Sequence, residues 1–427
     1  MQITVFLTSR KVQVDTFIKE TKYYKKLKKE IIQYSLLSYF SVHDIMYSHK
    51  IFKNFYSNID KLGSSFLVNK FKNEFKNKPA IILGAGPSLG YSFEILQRLQ
   101  NKALLIAGGS AITCLSKMHI LPHLGIIIDP NFEEYERMKK SLAFEIPMIF
   151  STRVNLGVFN TFNGERGYVK NAIGGLFEAW LDRHLKIPRR YLCLDYSEKA
   201  LTVTSVGIIL AKVLGCNPII LDGMDLGFSQ EKRYSVDIIE DNKLDEEKLK
   251  NSKMYLVKDK NNKDIYTGLS WEIERDWISN FAENHKKITF LNATKEGLKI
   301  NHVEDMSLLE IEQKFLKKQF DYKSYLFYLS QKNKIFPDQK NDFSFTKQAL
   351  RKSFERTRNY LQDIIDKETE YKVILAQERF LKEIAYKYFL VEYHIVLKDF
   401  VLKKQMSESD SFIKLKETSN IFLNECI

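Results

Sequence analysis

Proline and glycine are scarce in this chain of 427 residues, at 8 and 18. Hydrophobic residues make up 44% and charged residues 28%, so the sequence predicts a globular and not a disordered protein. Only four cysteines occur, Cys114, Cys193, Cys216 and Cys426, and none forms a C-x-x-C pair. That argues against a disulfide framework and a zinc site, and fits a reducing cytoplasm. Long apolar runs are missing as well. The best candidate, Val203 to Leu221, is interrupted by Lys212, Asn217 and Pro218, short of the roughly 18 apolar residues of a spanning helix. The apolar start Ile3 to Leu7 has no basic region before it, so it does not read as a signal peptide.

What the chain has in excess is positive charge: 66 Lys and Arg against 53 Asp and Glu, a formal net of +13. Such a surface attracts anions, including nucleic acid, anionic lipid and sugar acids. The lysines are spread along the chain without a stripe, which fits a solvated surface and predicts no nucleic-acid partner.

A length of 427 residues suggests two or three domains. Residues 1–77 mix one strand-like start with Lys- and Tyr-rich helical stretches and end in the charged segment Lys70 to Lys78. Residues 78–303 hold most of the glycines and the short apolar bursts. Residues 304–427 have no glycine and one strong breaker, Pro337. Apolar residues recur there at helical spacing, as in Phe380, Ile384, Tyr388 and Val391, which predicts an all-helical region.

In the middle region, Ala80–Leu83, Ala103–Ala107, Gly125–Ile128, Pro147–Phe150, Tyr191–Leu194 and Pro218–Leu221 read as buried strands. Helical segments such as Ser92–Gln100 and Ser205–Leu214 lie between them. The alternation predicts an α/β, Rossmann-like fold with a mostly parallel sheet and helices on both faces. In such sheets ligands bind beyond the carboxyl ends of the strands.

The residues just after each strand are therefore the ones to read. After the first comes Gly84-Ala85-Gly86-Pro87-Ser88-Leu89-Gly90. Its glycines permit a sharp turn and a close approach, and Ser88 either caps the next helix or holds a phosphate oxygen. The spacing completes neither a dinucleotide fingerprint nor a P-loop. Gly108-Gly109-Ser110 and Asp129-Pro130-Asn131 end the next two strands; Asp129 binds a ribose or metal, or caps a helix. Thr202, Thr204 and Ser205 open an apolar helix, as caps or as anion ligands. Asp222-Gly223-Met224-Asp225 ends a further strand, with two carboxylates placed to hold Mg²⁺ or hydroxyls. Tyr255 to Thr267 reads as strand–turn–strand, with turn residues Asn261 and Asn262. The stretch from Phe290 to Ile300 reads as a strand and a polar loop containing Asn292 and Thr294.

In this order, four stretches resemble the motility-accessory-factor family, also described as similar to the archaeal 6-hydroxymethylpterin diphosphokinase. They are Pro79 to Leu89, Ile126 to Pro130, Ala211 to Leu226 and Leu291 to Ile300. The resemblance spans about residues 75–303. The family core is similar to that of bacterial sialyltransferases, which share the Gly-x-Gly-Pro-Ser loop and use it to hold the nucleotide of a CMP-sugar. It implies a nucleotide site at Gly84, Gly86, Pro87 and Ser88. Around it the expected set is Gly109, Ser110, Thr204, Ser205, Gly223, Asn292 and Thr294. Two departures stand out: Tyr234-Ser235 where members often have Thr-His-Ala, and Pro122-His123 where they often have Pro-Asp.

The implied activity is transfer of a nonulosonic acid from a CMP-linked donor to a flagellin-like Ser/Thr hydroxyl or a glycan. It requires no further cofactor. A hydroxyl acceptor needs a general base, for which Asp225, Asp129 and His123 are the candidates. Two alternatives stay open. One is a diphosphokinase using ATP and Mg²⁺, with Asp222 and Asp225 as metal ligands. The other is a nucleotide-binding scaffold without catalysis. The expected setting is cytoplasmic, with no membrane span; the oligomeric state is not legible.

Overall fold

The computed structural model describes residues 3–7, 10–14, 31, 48–141, 143, 145–169, 176–185, 202–228, 254–335 and 343–426. The expected strand Tyr191–Leu194 and the pair Tyr234-Ser235 lie outside them. Among the described residues no helix is long and apolar enough to cross a membrane.

The chain forms two compact units. One comprises residues 1–57 and 342–427, the other residues 58–341. This division differs from the boundaries expected at 77 and 303. Residues 58–77 and 304–335 contribute strands and core side chains to the sheet unit, which a compositional reading of charge runs does not register.

The first unit opens with an antiparallel hairpin, β1 (Ile3–Leu7) and β2 (Arg10–Val14), and the helix α1 (Ser48–Asn58).

Among the described residues, the sheet of the second unit has nine strands. They are β3 (Phe66–Leu67), β4 (Ala80–Leu83), β5 (Leu104–Gly108), β6 (Leu124–Ile127), β7 (Met148–Phe150), β8 (Arg166–Tyr168), β9 (Ile219–Asp222), and, after the antiparallel hairpin β10 (Tyr255–Lys258) and β11 (Asp264–Thr267), β12 (Phe290–Asn292) and β13 (Glu304–Asp305). The order across the sheet is β13-β12-β9-β4-β5-β6-β7-β8-β3, and every pairing in it is parallel.

Helices fill the crossovers: α2 (Phe93–Leu99), α3 (Ser110–Lys117), α4 (Phe132–Met138), α5 (Leu176–His184), α6 (Val203–Val213) and α7 (Leu269–Asn284). Then α8 (Leu308–Phe315) and α9 (Tyr322–Lys332) follow the last strand. Alternate strand residues face one buried cluster. Ala80, Ile82, Leu104, Ile106, Leu124, Ile126, Ile219 and Leu221 meet Val206 and Leu210 of α6, Phe281 of α7, and Tyr322, Leu326 and Leu329 of α9 there. Phe66, Phe71 and Phe75, which precede the first long strand, belong to the same cluster.

Two glycines let α6 lie close. A Cβ on Gly108 would stand 1.8 Å from Val203 Cγ1, and one on Gly207 3.2 Å from Ile82 Cγ2. The connections from β4 run outward through β5 to β8 on one side and from β9 through β12 to β13 on the other. The direction of the chain therefore reverses between β4 and β9, and with right-handed crossovers this puts helices on both faces. It also opens a crevice at the carboxyl ends of those strands.

The first unit is completed by α10 (Ser344–Asp366), α11 (Glu370–Phe380), α12 (Val391–Leu402) and α13 (Glu408–Asn424). The rings of Phe354, Phe389 and Phe422 stand around Phe52, at centroid distances of 5.4, 5.4 and 4.8 Å, all edge-on. The helical expectation for this region holds, but the spacing from Phe380 through Ile384 and Tyr388 to Val391 does not lie on one unbroken α-helix. The α-helix stops at Phe380, and a π-turn spans Tyr386–Leu390. The break is held by Ser353, whose hydroxyl donates to Glu383 Oε2 at 2.7 Å and accepts from the Ala385 N–H at 3.0 Å.

Candidate functional site

At the β4/β9 switch the two loops read from the sequence interlock. The Gly84 N–H donates to Asp222 O at 2.8 Å and the Gly86 N–H to Gly223 O at 2.9 Å. Gly223 has φ +67°, a conformation glycine adopts freely. A Cβ on Gly84 would stand 2.3 Å from Gly223 O. These glycines allow two backbones to touch.

Pro87 then starts a 3-10 turn, Pro87–Tyr91, whose second residue is Ser88. The Ser88 N–H donates to Asp225 Oδ1 and Oδ2 at 3.1 and 3.3 Å, and its hydroxyl donates to Oδ1 at 2.6 Å. The Asp225 carboxylate thus lies where a ligand phosphate on this loop was expected. It is 3% exposed, and burial pushes its pKa up to about 7 against the pull of Ser88. Asp222 is fully buried beside it. Burial raises its pKa to about 6, moderated by Ser92, by the Gly223 N–H and by the charge of Lys260.

The loop after β12 closes over this pair. The Glu296 N–H donates to Ser88 Oγ at 3.0 Å and the Leu298 N–H to Asp225 O at 2.9 Å. Thr294 Oγ1 accepts from the Met224 N–H at 3.0 Å, and Asn292 bridges the Thr294 N–H and Asp305. Gly84, Gly86, Pro87, Ser88, Gly223, Asp225, Asn292 and Thr294 are therefore brought together, as are Asp222 and its neighbours. The polar groups of Ser88, Asp225, Asn292 and Thr294 hold the three loops to one another.

A second cluster lies along the same edge at β5 and β6. Gly109 has φ +45° and leads into α3 at Ser110. The start of α6 stands beside it, since Val203 packs on Gly108. Thr202 caps α6, with its Oγ1 accepting from the Ser205 N–H at 3.2 Å, while the buried Ser205 hydroxyl donates back to Thr202 O at 2.9 Å. Ser205 is thereby a capping residue, and Thr204 remains half-buried in the first turn. Thr202 Oγ1 also donates to Glu274 of α7, whose pKa burial raises.

After β6, Asp129 is 46% exposed at its side chain and stands 3.6 Å from Arg137 Nη2. The same guanidinium donates to Glu134 Oε2 at 2.7 Å. Glu134 is 1% exposed, and its Oε1 has no hydrogen-bond partner among the described residues. Burial and the charge of Asp129 hold its pKa above the usual carboxylate range. A Cβ on Gly109 would lie 3.6 Å from that oxygen. Sequence reading passed over Glu134 and Arg137 because isolated charges on a short surface helix carry no signal. The next strand end repeats the pattern: Glu178 of α5 accepts from Ser151 Oγ, from the Thr152 N–H and from Thr152 Oγ1 at 2.8, 2.7 and 2.5 Å.

His123 lies elsewhere. It precedes β6, at the amino end of the sheet, and its Nδ1 accepts from the Leu105 N–H at 2.9 Å. Burial pushes its pKa down to about 4. Its expected part as the base is corrected on this ground: it stands at the edge opposite the glycine loops, with one ring nitrogen engaged by the backbone.

With this geometry in place, residues 53–231 match the model of the family described as 6-hydroxymethylpterin diphosphokinase MptE-like. The match bears out the resemblance and takes in the first three of the four stretches that carry it. No curated protein matches the sequence. Among solved structures, the chain is similar to a Maf glycosyltransferase from Magnetospirillum magneticum AMB-1, with a TM-score of 0.55 and 16% sequence identity. The similarity covers 89% of this chain and 57% of that one, so the chain spans little more than half its length. At this identity the likeness establishes the shared fold.

Proposed function

We propose that this chain is a glycosyltransferase that takes a nonulosonic acid, such as a sialic, pseudaminic or legionaminic acid, from a CMP-linked donor. The acceptor in this reading is a hydroxyl of a flagellin-like protein or of a glycan, in the cytoplasm. One observation carries the proposal: the start of α3 at Ser110 and the start of α6 at Thr202 to Thr204 converge on Gly108 and Gly109, along the edge that the Gly84–Pro87 backbone also lines. Helix starts present N–H groups without intrahelical partners and a positive dipole end. A donor with a phosphate and a sugar carboxylate is the kind of anion such an edge stabilises.

The site residues divide accordingly. Gly84, Gly86 and Pro87 are half-exposed and offer backbone to the nucleotide, while Ser88 and Asp225 fix the shape of the turn. Gly109, Ser110 and Thr204 face the donor anion. Asn292 and Thr294 brace the β9 loop from behind. Of the three base candidates, Asp129 is the one whose carboxylate reaches solvent at this edge. It accepts the proton of the acceptor hydroxyl as that oxygen attacks the anomeric carbon and CMP departs. Arg137 orients it, and Glu134 orients Arg137.

The family description supports a second reading, the ATP- and Mg²⁺-dependent diphosphokinase. Asp222 and Asp225 would be its metal ligands, but they are 0% and 3% exposed, and Asp225 is engaged by Ser88. The geometry therefore favours the transferase. Thermal shift with a nucleotide panel separates the possibilities. Stabilisation by CMP and CMP-sugars is expected. Stabilisation by ATP only with Mg²⁺ would favour the kinase, and no response to any nucleotide would leave the scaffold.

A further inference from the structure

In the helical unit, α10 and α13 pack through apolar residues, yet between them lies an open cavity of about 490 Å³ with a polar wall. Among the described residues it is lined by Arg358, Asn359 and Gln362 of α10 and by Lys416, Asn420, Asn424 and the apolar Leu423 of α13. The spacing places each set on one helix face. The volume is that of a small-molecule site.

Two cations stand on its lining, Arg358 and Lys416. Several other cations of this unit are paired, among them Arg351 with Glu355, Arg356 with Glu383, Lys372 with Glu368, Lys382 with Glu378 and Lys403 with Asp399. No carboxylate among the described residues lines the cavity. Among the described residues neither Arg358 nor Lys416 forms an ion pair; Lys416 Nζ donates to the neutral Gln362 Oε1. The acid bonded to a lining side chain, Asp366, accepts from Gln362 Nε2.

We infer that this cavity binds a small oxyanion carried on a polyhydroxylated molecule, either a sugar phosphate or a sugar acid. Arg358 and Lys416 supply the positive charge that an oxyanion requires in a site without carboxylates. Asn359, Asn420 and Asn424 both donate and accept, as neighbouring hydroxyls require. Among the described residues no aromatic ring lines the wall, which argues against a stacked nucleobase or a nucleotide. The cavity belongs to the helical unit and the donor edge to the sheet unit, and the inference does not depend on the transferase reading.

The test is isothermal titration of the full chain with inorganic phosphate, glucose 6-phosphate, N-acetylneuraminate and glucose. One saturable site is expected for one or both charged sugars and none for glucose; which sugar binds identifies the anion. Arg358→Gln and Lys416→Gln change only half-buried positions, and circular dichroism checks their fold. Each should weaken binding about tenfold or more, the scale of one charge-assisted hydrogen bond. Gly109→Val, at the donor edge, should leave this affinity unchanged. The proposal is overturned if no charged sugar binds, if glucose binds as well, or if binding is lost in Gly109→Val and kept in Arg358→Gln.

Discussion

The Ser88 hydroxyl donates to Asp225 Oδ1 at 2.6 Å across 137 residues of sequence. A Cβ on Gly86, two residues before Ser88, would stand 2.1 Å from Asp225 Oδ2. The glycine loop is thus shaped around a carboxylate that the chain itself provides. Its form does not wait for a ligand, and the variants that probe it report on folding as well as binding.

Asp225 should make stability depend on pH in a recognisable direction. Its pKa in the folded protein is about 7, raised by burial from an ordinary 3.8. Between those values the folded state holds a proton that the unfolded state has lost. Its contribution to stability is therefore complete below pH 3.8 and declines as pH rises through about 7. Asp225→Asn keeps an acceptor for Ser88 and removes the titration. Its melting temperature should fall less than the parent's between about pH 5 and pH 8. Asp222 remains in both proteins, and because its charge raises the Asp225 pKa the difference reports Asp225 together with that coupling. Parallel melting curves would remove the buried carboxylate from the account.

Gly86→Ala should destabilise the sheet unit by about 2 kcal/mol or more, because the new methyl meets a buried carboxylate and backbone. Adding Asp225→Ala should restore part of that loss, since the nearer of the two obstacles is then gone. Denaturant melts of the single and double variants measure both. A Gly86→Ala protein as stable as the parent would rule out the close approach.

Much of the sheet was readable because its strands are short apolar bursts between breakers. Ala80–Leu83 is a strand over those residues. The strands from Leu104, Leu124, Met148 and Ile219 begin or end a residue away from the readings. Pairing was not readable, because parallel strands meet through crossovers that leave no local mark. Nothing in Phe66-Leu67 announces an edge strand beside β8. The Ser88–Asp225 bond hid for the same reason: each residue has a sensible local explanation, as cap or as ligand. Glu134 and Arg137 were missed because what distinguishes them is burial, and burial on a seven-residue helix is decided by the neighbours.

His123 should prove a structural residue. His123→Ala removes the acceptor of the Leu105 N–H, at a cost of about 1–3 kcal/mol. Its depressed pKa, about 4, means that its contribution is present above 6.5 and is lost as pH falls through about 4. The variant should therefore lose less stability than the parent on acidification. Transfer activity of the folded variant at neutral pH should stay within a few-fold. A fall of about a hundredfold or more would return His123 to the reaction.

The proposed transfer should survive EDTA. The leaving group is a monophosphate, and the helix starts at Ser110 and Val203 offer it N–H donors without a metal. Hydrolysis or transfer of a CMP-sugar, measured with and without EDTA, gives the answer. Complete loss restored by Mg²⁺ would instead assign Asp222 and Asp225 as ligands and favour the diphosphokinase.

The last expectation concerns where the sheet unit ends. A boundary at 303 is attractive in sequence, because glycines stop there and helical spacing begins. The packing argues otherwise. Tyr322, Leu326 and Leu329 of α9 are buried in the same cluster as Phe71, Ile82 and Ile106. Glu312 of α8 accepts from Arg98 and Lys102 at 2.7 and 2.9 Å. The Phe320 N–H donates to Asn101 O at 2.8 Å. Removing α8 and α9 would expose one side of the cluster and leave the charges of Arg98 and Lys102 without their carboxylate. Losing three such buried side chains, at roughly 2–5 kcal/mol each, already matches the about 5–15 kcal/mol by which a domain is stable. A fragment of residues 58–341 should therefore melt cooperatively and keep its affinity for CMP, whereas one of residues 58–303 should not fold. Calorimetry on the two fragments decides it. Cooperative melting of the shorter one would place the boundary back at 303 and make α8 and α9 an appendage.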